Sequence, residues 1–325
     1  MNSSVPLDSI LSVPDFWSAT EQIDPYIALG SAVIGLLVGM TGVGGGALMT
    51  PMLIMVFGVK PSTAISSDLV AAVLMKPFGA SVHLRRGTVN LHLVKWLALG
   101  SVPAAFVGAY LLHLLGNSSG AEDTVQLVLG IALLVGVASM VVRAIMDRRG
   151  HNARTGSVAD VVVRPLPTLA IGLIGGFVVG MTSVGSGSMM IVLMLFLYPA
   201  ISAKKLVGTD ITQAVPLTVA AACGALLFGH VEVSVTTSML IGAIPAVIVG
   251  SLFSSRAPDG IIRPIIGFAV LASGLKYVGL PTVALGWTLL FVALAMCTFL
   301  IVTKKPWQRS TSADASDEPA GLAAP

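Results

Sequence analysis

The stretch Gly39-Met-Thr-Gly-Val-Gly-Gly-Gly-Ala-Leu-Met49 returns as Gly180-Met-Thr-Ser-Val-Gly-Ser-Gly-Ser-Met-Met190, displaced by 141 residues. Farther along, at a displacement of 142, Ser67-Asp68 meets Thr209-Asp210 and Gly87 meets Gly229. Gly100 and Pro103 then meet Gly242 and Pro245, and Gly108 meets Gly250. Glycine alone recurs by accident in any apolar chain. A fixed displacement held over about seventy residues does not, so the chain reads as a duplication.

Each copy of the glycine motif lies inside a long apolar segment, 26–58 and 166–198, and each segment is followed by three ordinary apolar stretches. These run over about 62–84, 91–115 and 124–146 in the first copy, and 203–228, 233–253 and 261–278 in the second. An unpaired helix follows near 283–302. Stretches of about 20 apolar residues match the length an α-helix needs to cross a bilayer. The chain is 55% hydrophobic and only 10% charged, with a mean hydropathy of +0.93, too apolar for a water-soluble globule. Its net charge of +3 does not point to nucleic acid, because Lys and Arg gather in short loops at helix ends. Cys223 and Cys297 have no His or acid at ligand spacing, so no metal and no cofactor is expected.

Loop charges set the orientation of the copies. In the first, Arg85 and Arg86, then Arg143, Arg148, Arg149, Arg154 and Arg164, follow the second and fourth elements. The matching loops of the second copy, around His230 and Leu280, are nearly bare. There the cations sit in the intervening loops as Lys204, Lys205, Arg256 and Arg263, where the first copy offers Lys60 and the acids Glu122 and Asp123. Cytoplasmic loops collect Lys and Arg, so the copies are predicted to face opposite ways. That requires each glycine-broken segment to enter and leave on one side. Some 33 residues are too few for two full crossings, so at least one arm of each hairpin is predicted to be short, with the tip at membrane depth.

The predicted fold is an all-α polytopic membrane protein of two inverted repeats, each a re-entrant or short helix hairpin plus three transmembrane helices, with one extra C-terminal helix. Residues 1–25 form an extracytoplasmic lead-in carrying Asp8, Asp15, Glu21 and Asp24 and no Lys or Arg, which argues against a signal peptide. Repeat one spans 26–146, a cytoplasmic basic loop 147–165, repeat two 166–279, the additional helix 280–303, and a disordered cytoplasmic tail 304–325. The N-terminus is expected outside, and Lys304, Lys305 and Arg309 inside.

The tips, Thr41-Gly-Val-Gly-Gly-Gly46 and Thr182-Ser-Val-Gly-Ser-Gly187, carry the residues that unwind a helix and admit close backbone approach. New helices begin after them, and two helix N-termini meeting near the midplane make an anion site. The candidate binding residues are Thr41, Gly42, Gly44, Gly45 and Gly46 in the first tip and Thr182, Ser183, Gly185, Ser186, Gly187 and Ser188 in the second. The plainer alternative is that Gly42 and Gly46 serve helix packing. Gly42-Val-Gly44 with Ala47 also fits a dinucleotide fingerprint, but without the strand and distal acid that would give it meaning.

Lys76 is an ionisable side chain within an apolar stretch, where an uncompensated charge costs on the order of 3 kcal/mol. Two readings stand side by side: it meets an anion, or it pairs with Asp68 or Asp210. Those two acids follow Ser67 and Thr209 about two turns into matching helices, as a coupling or structural polar pair. Gln213, one turn beyond Asp210, offers neutral hydrogen bonds. His83, His92 and His113 lie at or near span ends, where the interface accounts for them.

With these residues in view, the glycine-rich repeats, the Ser67-Asp68 and Thr209-Asp210 pairs, Lys76 before Pro77, and Val207-Gly-Thr-Asp-Ile-Thr-Gln-Ala-Val-Pro-Leu-Thr218 resemble the TauE/SafE sulfite exporter family over about 28–279. The resemblance implies outward permeation of sulfite, thiosulfate or organosulfonates without ATP, in a bacterial inner membrane. The expected partners are a small sulfur anion and the lipid bilayer, with proton coupling and homo-oligomer formation compatible with the sequence and no nucleic acid. The rival is a proton- or cation-coupled carrier of another solute that uses Asp68 and Asp210. An enzyme is not expected, since no span carries a His, Cys and acid grouping at catalytic spacing.

Overall fold

The computed structural model describes residues 23–41, 44–85, 87, 89–116, 121–148, 162–199, 201, 203–253 and 259–303. The expectations for most of the lead-in, for 149–161 of the basic loop and for the tail from 304 lie outside the described residues. The described chain is all-helical. In order it forms α1 (Pro25–Thr41), α2 (Gly46–Met55), α3 (Pro61–Arg85), α4 (Leu91–Gly116), α5 (Ala121–Arg148), α6 (Pro165–Thr182), α7 (Met189–Leu197), α8 (Ala203–Phe228), α9 (Val233–Phe253), α10 (Asp259–Tyr277) and α11 (Thr282–Thr303). Helices α3, α4, α5, α6, α8 and α9 are long and apolar enough to cross a membrane.

Both glycine-broken segments are hairpins of one longer and one short arm. Helices α1 and α6 have 17 and 18 residues, α2 and α7 only 10 and 9. At 1.5 Å per residue the short arms extend roughly 15 Å, about half the hydrocarbon thickness. Local chemistry fixes their ends. Asp24 caps α1 through its carboxylate oxygen, which accepts from the N–H groups of Tyr26 and Ile27. Pro165 starts α6, where a missing N–H costs nothing. The second break is unwound by Ser183, left-handed at φ 58°, and by Gly185 and Gly187 at φ 116° and 103°.

The two copies exchange partners. Helix α1 lies along α9 and α6 along α4, while α3 packs on α8 and α5 on α10. The contacts repeat residue by residue under the same displacements. A Cβ on Gly39 would strike the carbonyl oxygen of Val247, and its counterpart on Gly180 that of Ala105. Gly35 likewise faces Ala243 and Gly176 faces Ser101, while Gly250 faces Leu36 and Gly108 faces Phe177. When one residue touches another across the copies and both counterparts touch in return, the copies are related by a pseudo-twofold axis. Small residues at these crossings let backbones meet directly, the packing that association in lipid favours.

Hydrogen bonds obey the same exchange. The N–H of Asn90, at the head of α4, donates to Thr209 Oγ1 (3.2 Å), and the N–H of Glu232, before α9, donates to Ser67 Oγ (3.3 Å). The outer surface is apolar, with Leu29, Val107, Ile131 and Leu226 exposed, as suits contact with acyl chains. Among the described residues, those from 281 to 303 form a separate compact unit containing α11, which carries exposed Trp287 and Phe291.

Candidate functional site

The polar groups that an apolar helix bundle can least easily hide gather around the second tip. Thr182, Ser183, Ser186 and Ser188 are all buried there. The first tip crosses this one in direct backbone contact. A Cβ on Gly44 would overlap the carbonyl oxygen of Ser186, and one on Gly46 that of Ser183, so glycine at both positions is a condition of the crossing. The structure therefore brings Gly44 and Gly46 of one copy against Ser183 and Ser186 of the other. Gly45 lies alongside with room for a methyl group. Gly42 lies outside the described residues, as do the side chains of Lys204 and Lys205.

Three ionisable side chains converge on the second tip. Lys76 Nζ, from α3, donates to Ser186 Oγ at 3.0 Å. Asp68, two turns earlier on the same helix and fully buried, accepts from Thr50 Oγ1 of α2 at 3.0 Å and faces the Ser183 hydroxyl. Asp210 of α8 is approached by the N–H of Gly187 without completing a hydrogen bond, and both its carboxylate oxygens lack a partner. Lys76 acts electrostatically on both acids, and Arg143 of α5 acts on Asp210. Between the anion-facing and acid-paired readings of Lys76, the described contact is with neither: its hydrogen bond goes to a neutral hydroxyl at the tip.

The remaining candidates divide by what occupies their hydrogen bonds. Thr41 and Thr182 each donate back along their helix, to the carbonyls of Leu37 and Val178 at 2.7 Å, so these hydroxyls present acceptor lone pairs to the tip rather than a free proton. Gln213 is fully buried; its Nε2 donates to Ser101 Oγ at 2.6 Å, and its Oε1 has no partner. Ser67 and Thr209 accept the cross-copy N–H bonds at the heads of α9 and α4. Sequence reasoning missed Thr50 and Ser101 and read Arg143 only as a loop cation. A polar residue inside the short apolar α2 was the available signal for Thr50; nothing local marks Ser101.

A buried polar centre where two broken helices cross, inside an all-helical body with an apolar exterior, has the architecture of a multi-pass membrane carrier. The profile described as sulfite exporter TauE/SafE matches residues 27–277, most of the chain. The probable membrane transporter protein YjnA of Bacillus subtilis is 39% identical over 253 residues, covering 78% of this chain and 98% of that protein. The probable membrane transporter protein YdhB of the same organism is 24% identical over 251 residues, covering 77% and 98%. The chain belongs to the TauE/SafE family and is a membrane transporter. No solved structure matches it.

Proposed function

We propose that the protein is a secondary transporter that exports small sulfur-containing anions, such as sulfite, thiosulfate or organosulfonates, across a bacterial inner membrane. The observation that carries this reading is Lys76 held by Ser186 at the crossing of the two tips. A compact ammonium with three donors suits the tetrahedral or pyramidal oxygens of a sulfur oxyanion. Ser186 and the N–H groups freed where the helices break supply hydrogen bonds that do not depend on a single substituent on sulfur. The family name favours sulfite. Duplicated halves related by a pseudo-twofold axis favour alternating access, with the N-terminus outside and the copies in opposite orientation, as loop charges suggest.

The rival is a carrier of a cation or another solute centred on Asp68 and Asp210, which the unpartnered oxygens of Asp210 favour. The two readings separate in one experiment. Labelled sulfite is offered to proteoliposomes and competed with thiosulfate, sulfate and short alkyl sulfonates. Saturable uptake with sulfur oxyanions ranked above sulfate supports the anion carrier. Absence of sulfite uptake in vesicles holding folded protein refutes the proposed cargo.

A further inference from the structure

Asp68 and Asp210 are counterparts under the pseudo-twofold axis, yet their surroundings differ, and the cause lies in the sequence. Asp68 receives Thr50 on one oxygen and faces Ser183, while its other oxygen has no partner. The residues matched to those two by the displacement of 141 are Ile191 and Gly42, neither of which has a hydroxyl to give. Asp210, 1% exposed, is accordingly left with two oxygens that accept nothing. Its surroundings are otherwise specific. From α3 comes Lys76, on which Asp68 also acts, from α5 Arg143, and from the second tip the N–H of Gly187. Helices α6 and α7 contain no ionisable residue. Helix α4 turns His92 and Lys95 to its exposed face, and its Ser101 is held by Gln213.

A buried carboxylate without hydrogen bonds is neutralised more cheaply than it is tolerated. An ionised Asp has only acceptors, whereas a protonated one carries a donor. The buried, unpartnered Oε1 of Gln213 lies three residues on along α8, the spacing at which such side chains meet on a helix face. A proton on Asp210 supplies a donor one turn from that unpartnered acceptor. Charge balance points the same way. Asp68 and Asp210 offset Lys76 and Arg143, so an anion entering beside Lys76 leaves the buried site negative unless a proton enters with it.

We propose that Asp210 is the proton-carrying residue of the transport cycle, and that Asp68, tied to Thr50, is a positioning residue that holds α2 against α3. One proton from water at one mouth converts the Asp210 carboxylate to the acid while the anion occupies the tips. At the opposite mouth the acid returns that proton to water as the anion leaves, and no other bond changes. The inference rests on the anion-carrier reading, and its test has an arm independent of it.

In the purified wild-type protein, the infrared carbonyl band of a protonated carboxyl is followed across pH. Asp210→Asn is expected to remove that band and Asp68→Asn to leave it; a band that survives in Asp210→Asn overturns the assignment. In proteoliposomes, Asn mimics the protonated acid, so Asp210→Asn is expected to keep exchange of labelled for unlabelled sulfite while uptake driven by a pH gradient falls to the level of empty vesicles. Gradient-driven uptake that survives in Asp210→Asn, loss of exchange in the folded variant, or driving by a sodium gradient in place of a pH gradient each overturns the proposal. Wild-type vesicles that move no sulfite at all refute the cargo, and the infrared band still decides Asp210.

Discussion

Alanine at Gly180 drives a methyl group into a close backbone crossing between the copies. The added Cβ would overlap the carbonyl oxygen of Ala105 and lie 2.8 Å from its carbonyl carbon, against about 3.4 Å for the lower bound of ordinary contact. Backbone cannot rotate away as a side chain can, so α4 and α6 must part by roughly half an ångström or more, enough to forfeit a quarter to a half of each contact's attraction along the seam. Overpacking of this kind costs about 1–3 kcal/mol, from which the better helix propensity of alanine returns up to about 1 kcal/mol. Gly39→Ala makes the equivalent contact with Val247 and is expected to behave alike. Gly267→Ala is the control: its nearest foreign atom is Met140 Sδ at 4.0 Å, so only the propensity gain remains. Unfolding in detergent, followed by tryptophan fluorescence with Trp96 on the displaced α4, reads the difference. At roughly 2–4 °C per kcal/mol, the two crossing variants are expected to melt a few degrees below wild type and Gly267→Ala at or above it. Crossing variants as stable as the control would refute the reasoning from exchanged helix pairs.

Ser67→Ala and Thr209→Ala each remove an acceptor from an N–H at the head of a helix in the other copy; each is expected to destabilise by about 0.5–1.5 kcal/mol, measured by the same melt. Thr50→Val strips Asp68 of its hydrogen bond within a buried site and is expected to cost about 1–3 kcal/mol, part of it recovered by adding Asp68→Asn, as a double-mutant cycle would show. Ser186→Ala leaves the backbone crossing intact but removes the hydroxyl that holds Lys76; unchanged melting with weaker apparent affinity for sulfite is the expected outcome in vesicle uptake.

Much of the architecture was legible because glycine and proline mark backbone events directly. The repeated tips fixed the duplication, and counting residues between Tyr26 and Gly58 was enough to foresee short arms, which α2 and α7 now are. Less of the site could be read. Lys76 and the two acids stand out in any apolar helix, but the partner of Lys76 is Ser186, 110 residues away in the other copy, and only packing between copies brings it near. The same holds for Gln213 and Ser101, 112 residues apart. The inequality of Asp68 and Asp210 is written in Thr50 and Ile191, yet it has no meaning until α2 is known to lie against α3. Thr41 and Thr182 carry a further lesson: a hydroxyl at a helix end has a carbonyl one turn back within reach, and sequence alone does not say which bond it makes.

The most direct test of the account is the rate of labelled sulfite uptake by proteoliposomes containing wild type, Lys76→Arg or Lys76→Ala, each shown to be folded. A site that binds the anion through the charge at position 76 predicts flux that Lys76→Arg retains in part and Lys76→Ala reduces to that of empty vesicles. Wild-type flux from Lys76→Ala would contradict it, and would move the substrate away from the crossing of the two tips.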